Sequence, residues 1–169
     1  MRGIAALFFL LLLRVANASQ SLPVVRVGLV DMAGLSPKVR SDAQGMVVAL
    51  FRKSGVRLEF VDSLPPDYWL QILSSRPQRL PLDTAGFALL VPSEKPEDSY
   101  AAVFLPQVEA AARNLDATVT EVLAASMAHE IGHLLLHSSA HARTGIMSPR
   151  LDRPQIRQLQ RGELLFLRP

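Results

Sequence analysis

Cysteine is missing from this 169-residue chain. That excludes disulfide staples, thiolate metal ligands, a lipid-modified cysteine anchor and any cysteine-based latency device. The chain must hold together by its core, with help from a metal if one is bound. A full-length membrane-spanning run is missing too, which weighs against a membrane anchor, the competing reading of the N-terminus. The longest apolar stretch, Ile4 to Leu13, falls short of the roughly 20 residues that cross a bilayer, and Arg14 interrupts it. Arg2 before this stretch and Ala16-Asn17-Ala18 after it instead complete the pattern of a cleavable secretory signal. Residues 1–18 are therefore expected to be removed and residues 19–169 to form one domain, secreted or periplasmic, with no stable membrane anchor after cleavage. Cleavage after Ala18 takes 18 of the 169 residues and leaves 151, enough for one core. It also removes Arg2 and Arg14, so the formal charge falls from +3 to +1. So small an excess gives no reason to expect a nucleic-acid partner. No repeat, linker or propeptide is evident, the first strand starting a few residues after the cleavage site.

The remaining chain reads as alternating elements. Val24–Val30 is β-branched and apolar, a first strand. Ser36-Pro37 caps and opens a helix with Val39, Ala43, Met46, Val47, Leu50 and Phe51 at helical spacing, closed by Gly55. Further strands are expected at Arg57–Val61, Tyr68–Leu73, Ala85–Val91 and Tyr100–Leu105, with turns or loops at Pro65-Pro66, 74–84 and 92–99. A short helix is expected near Gln107–Arg113. Thr118-x-x-Glu121 is a capping box opening a long amphipathic helix with Leu123, Met127, Ile131, Leu134 and Leu135 on its apolar side. Pro154 opens a last helix that turns Ile156, Leu159 and Leu164 to the core. The order predicts an α+β domain: a mixed, twisted sheet of about five strands, one long helix packed on it and a C-terminal helix.

That long helix carries His129-Glu130-Ile131-Gly132-His133. Residues four apart share a helix face about 6 Å apart along the axis, so both imidazoles can reach one metal ion. Zinc accepts such nitrogens at about 2.0–2.1 Å and, in a catalytic site, adds a third protein ligand and a water. Glu130, beside the first ligand, can act as general base on that water. His137 continues the four-residue ladder, but it lies about 12 Å along a straight helix from His129, too far to share an ion. It reads as a helix C-terminal residue facing the dipole. Two residues compete as third ligand: His141, beyond a helix end at Ser138-Ser139, and Glu163, downstream as in thermolysin-like zinc peptidases. His141 is favoured because imidazole suits zinc and a short connection limits closure entropy. Arg153, Arg157 and Arg161 read as a solvated helix face, and Tyr68-Trp69 as half-buried strand packing.

His129-Glu130-Ile131-Gly132-His133, His141 and the run Gly145-Ile146-Met147-Ser148-Pro149 together resemble the active site of metzincin metallopeptidases. That clan carries H-E-x-x-H-x-x-G-x-x-H and then a methionine turn. The resemblance implies a zincin-like fold, one zinc per chain on His129, His133 and His141, Glu130 as base, and Met147 as an apolar floor that does not touch the metal. It implies that Ala85–Val91 is an edge strand pairing with an extended peptide or protein substrate. The chain departs from the pattern. Leu136 stands at the family glycine, Ser139 at the family third histidine, and His141 comes two residues later. A helix about one residue longer, turning near His137-Ser138, accommodates this. No tyrosine follows Met147, and the missing cysteines exclude the archaemetzincin pattern. The expected activity is that of a secreted zinc-dependent endopeptidase. A non-catalytic zinc-stabilised binding module, and a zinc amidase acting on cell-wall or small amide substrates, are the alternatives.

Overall fold

A computed structural model describes residues 22–62, 65–91 and 98–167. The signal-peptide expectation, residues 1–18, lies outside them. The described residues form a five-stranded sheet of order β2-β1-β3-β5-β4 with helices packed on it, the expected α+β arrangement. The first unit is β1 (Val24–Asp31), α1 (Pro37–Lys53) and β2 (Arg57–Val61). Parallel strands need a crossover, and α1 supplies it. Ser36 caps α1 by accepting from the Val39 amide at 3.3 Å, with Pro37 in the first turn, as the sequence indicates.

β3 (Tyr68–Leu73) lies parallel to β1, and β5 (Tyr100–Phe104) parallel to β3. β4 (Gly86–Leu89) is the sheet's antiparallel edge, paired among the described residues only with β5, with Gly86 opposite Val103 and Ala88 opposite Ala101. Directly opposed residues share a face. Val27, Leu29, Leu70, Ile72, Ala101 and Val103 therefore make one apolar surface, and it meets Val47, Leu50, Leu123, Met127, Ile131 and Leu134 from the helices. Where β4 and β5 meet the long helix the facing residues are small, which lets that helix come close to the sheet edge.

α2 (Leu105–Leu115) is longer than expected. It starts at Leu105, read from sequence as strand, because Pro106 favours the first turn of a helix. α3 (Val119–Leu136) opens with the expected capping box: Thr118 Oγ1 accepts from the Glu121 amide at 3.2 Å, and Glu121 accepts from the Thr118 amide at 2.8 Å. The expectation of an amphipathic helix needs correction. Val122, Ala124, Ala125 and Ala128 are buried as well as Leu123, Met127, Ile131 and Leu134. α3 is enclosed on nearly all sides, by α1, α2, the sheet and the chain that follows it, and such a helix shows little apolar asymmetry. α4 (Arg153–Gln160) begins one residue before Pro154, under a second capping box from Asp152 and Gln155. Ile156 and Leu159 are buried on it; Leu164 is buried too, but beyond its end. Arg153, Arg157 and Arg161 are exposed. Trp69 is 39 % exposed, consistent with half-buried strand packing. No helix among the described residues is long and apolar enough to cross a membrane.

Candidate metal centre and cleft

α3 places His129 and His133 one turn apart, and its C-terminus brings the chain back. His137 is the cap, in the left-handed conformation at φ 46°, with its amide donating to the His133 and Leu134 carbonyls. The helix thus turns at His137, as inferred from the spacing. The short segment after it returns His141 to the other two rings. Ring centroids stand 4.6 Å apart for His129 and His133, 5.2 Å for His129 and His141, and 4.9 Å for His133 and His141. One donor nitrogen from each lies within 4.8 Å of the others. His129 is partly buried, His133 buried, and His141 exposed at the rim. The fourth histidine, His137, is outside this group.

Two backbone carbonyls fix the tautomers. His129 Nδ1 is 2.7 Å from the Ile146 oxygen, and His133 Nδ1 is 2.7 Å from the Ser138 oxygen. A carbonyl can only accept, so each Nδ1 carries the proton and each Nε2 keeps its lone pair. These two Nε2 atoms face each other at 3.0 Å. Unprotonated nitrogens so close repel unless a cation lies between them. Ligands about 2.0–2.1 Å from a tetrahedral centre stand about 3.3 Å apart, so the spacing suits a metal. Burial pushes His129 down to about 4; its bond to Ile146 works against that, and the nearby His133 and His141 reinforce it. Burial lowers His133 as well. Neutral imidazole is the form that binds metal, so the fold favours the ligating state. The donor set, three imidazoles with two held by second partners, fits zinc.

Glu130 is 6 % exposed and makes no hydrogen bond or ion pair among the described residues. Burial alone raises its carboxyl to about 8. It lines a cleft of about 580 Å³ together with His129, His133 and His141, with Gly86 and Phe87 of β4 along one wall and Ile146 along another. Glu163, the competing third ligand, is not in this group. It lies past the end of α4, 57 % exposed, and accepts from Arg161 Nε at 2.7 Å.

Met147 is fully buried. Its sulfur lies against Gly132, where a Cβ would stand 2.5 Å from it. The turn before it depends on Gly145, at φ 79°, where a Cβ would meet the Leu165 carbonyl at 2.5 Å. The segment closes with the Ala142 amide donating to the Met147 carbonyl at 2.8 Å and the Ile146 amide donating to Leu165 at 2.9 Å. Sequence reasoning missed these supports. Backbone carbonyls leave no mark in a sequence. Buried Gln155, whose Nε2 donates to the Gly145 carbonyl at 2.9 Å, did carry a signal, its place three residues after Asp152 in a capping box.

No family model and no curated protein matches the chain. Among solved structures, that of myroilysin is similar at 21 % identity and a TM-score of 0.41, over 68 % of this chain and 48 % of that one. The chain thus spans about half the length of that structure. At that distance the likeness carries no weight for the site, which is read from its own residues.

Proposed function

We propose that the chain is a zinc-dependent endopeptidase of metzincin type, acting outside the cytoplasm once residues 1–18 are removed, with one zinc per chain held by His129, His133 and His141. The observation that carries this reading is the convergence of three imidazole nitrogens beside the buried Glu130 carboxyl in a cleft walled by an edge strand. A zinc ion bound there supplies Lewis acidity, polarising a carbonyl and making water acidic. With that cation nearby to offset the burial that keeps it protonated in the metal-free chain, Glu130 is ionised, takes the proton of the attacking water and delivers it to the leaving amine. The outer edge of β4, unpaired among the described residues, offers backbone donors and acceptors to an extended peptide, which it holds antiparallel or parallel across the cleft. Met147 gives the centre an apolar floor, and Gly145 lets the chain turn tightly enough to place Ile146 behind His129. A non-catalytic zinc module has no use for a base, and a carboxyl this buried is costly to keep without one.

The test is metal analysis of the mature protein with cleavage of a mixed fluorogenic peptide library, wild type against Glu130→Gln. We expect about one zinc in both proteins and a rate lower by about 10²–10⁴ or more in the variant. Equal rates would end the mechanism. Hydrolysis confined to small amides or cell-wall fragments would move the substrate class to that of an amidase.

A further inference from the structure

Gly86 is not explained by backbone conformation, since its φ is not positive. It is explained by what lies over it. On β4, Gly86 is opposite Val103 and on the face that meets α3. A Cβ at this position would stand 2.7 Å from Glu130 Oε1 and 2.9 Å from Glu130 Cγ, both well inside van der Waals contact. It would also stand 2.7 Å from the Ala102 carbonyl of β5. The Glu130 side chain thus lies flat on bare backbone at the edge of the sheet, and the missing side chain is the space it occupies. We propose that Gly86 is a positioning residue for Glu130: the bare strand sets the height at which the carboxylate enters the cleft beside the three histidines. This rests on the reading of Glu130 as general base. Any side chain at 86 pushes the carboxylate off the strand, and displacement by about 1 Å is enough to cost a reaction about 10²-fold.

Two contacts are at stake in Gly86→Ala, and they separate. The Ala102 clash belongs to the sheet and is the same whatever residue 130 is. The Glu130 clash vanishes when residue 130 is cut back. The first measurement is urea unfolding of the metal-free protein as wild type, Gly86→Ala, Glu130→Ala and the double variant. The midpoint loss caused by Gly86→Ala should be clearly smaller in the Glu130→Ala background. An equal loss in both backgrounds overturns the proposal. So does failure of both Gly86→Ala chains to fold while Glu130→Ala folds, because the cost then lies in the sheet. Folding of the double variant alone supports it.

The second measurement is cleavage of the mixed fluorogenic peptide library with zinc content determined alongside. Gly86→Ala should keep its zinc and lose about 10–100-fold in kcat with a smaller change in KM. In the Glu130→Gln background, where no base remains to be displaced, it should add no further loss to the residual rate. A further loss of the same factor there overturns the proposal. If Glu130→Gln is itself as active as wild type, the base assignment falls, while the unfolding cycle still reports whether Gly86 seats the side chain.

Discussion

His129 and Glu130 are neighbours in sequence, and burial acts on them in opposite senses. It holds the imidazole neutral, down to about 4, and the carboxyl neutral, up to about 8. In metal-free protein the carboxyl binds a proton that the unfolded chain releases between pH 4.5 and 8, so its share of stability is full below 4.5 and is lost as pH rises to 8. The imidazole acts the other way: stability is lost as pH falls from 6.5 to about 4. Glu130→Gln removes only the first effect. Relative to wild type, the metal-free variant should therefore gain stability from pH 4.5 to 8, on the order of a few kcal/mol. Urea unfolding with chelator present at pH 5 and pH 8 checks this, and a difference that stays constant with pH would mean that Glu130 is not buried in solution. At this scale much of the site was legible. The helical period puts His129 and His133 on one face, with Glu130 beside the first of them, so the pairing of the two imidazoles follows from spacing alone. His141 needed chemistry as well as spacing to be preferred over Glu163. The carbonyls of Ile146 and Ser138, and the bare backbone at Gly86, were not legible, because main-chain atoms and missing atoms have no letter in the sequence.

The end of α3 shows how an element can be read correctly at one position and wrongly along its length. The turn at His137 followed from the spacing between motif and third histidine, and the structure places the left-handed cap there. The helix's surroundings did not follow. Its small residues, Ala124, Ala125 and Ala128, sit where neighbours come close, and a sequence scan cannot tell a small buried residue from a neutral exposed one. α2 and the last strand were misplaced by a residue or two for the ordinary reason that ends depend on caps rather than on period. The cap itself gives a prediction. His137 holds φ 46° without glycine's freedom and takes no part in the histidine cluster. His137→Gly should relieve that strain and stabilise the fold by up to about 1 kcal/mol, with zinc content unchanged. Thermal unfolding and metal analysis read the two outcomes. Loss of zinc in this variant would make His137 a ligand and undo the assignment of His141.

At the scale of the molecule, the site is held from behind by the last turn of chain. The path runs from residues 163–167 to the methionine turn, and from there to the metal-binding face. Leu164 is buried, and Phe166 packs on Phe51 of α1 with ring centroids 4.6 Å apart and on Gly132 of α3. Between them the Leu165 carbonyl accepts from the Ile146 amide, while the Ile146 carbonyl orients His129. Lys53 Nζ donates to the Gly162 carbonyl and fastens the start of this strap to the end of α1. The strap was not legible in sequence, where residues 163–167 lie beyond the last periodic helix and Leu164 was assigned to that helix. Its removal should therefore do more than shorten the chain. Ending the protein after Gly162 exposes the Leu164 site, a loss of about 2–5 kcal/mol by the usual cost of emptying a buried leucine position, and leaves the Ile146 amide without its acceptor. Phe166→Ala is the gentler version: it keeps the Leu165 carbonyl and should cost about 1–3 kcal/mol, less than a fully buried ring because Phe166 is only half-buried. Both should bind zinc more weakly than wild type, the truncation more so, because the Ile146 carbonyl that orients His129 is then held less firmly; weakening such partners commonly costs about 10–100-fold in metal affinity. Competition for zinc against a chromophoric chelator measures the affinity, and thermal unfolding of the same samples measures the fold. A truncated protein that melts at a lower temperature yet holds zinc as tightly as wild type would show that the strap supports the core alone and that His129 is oriented without it.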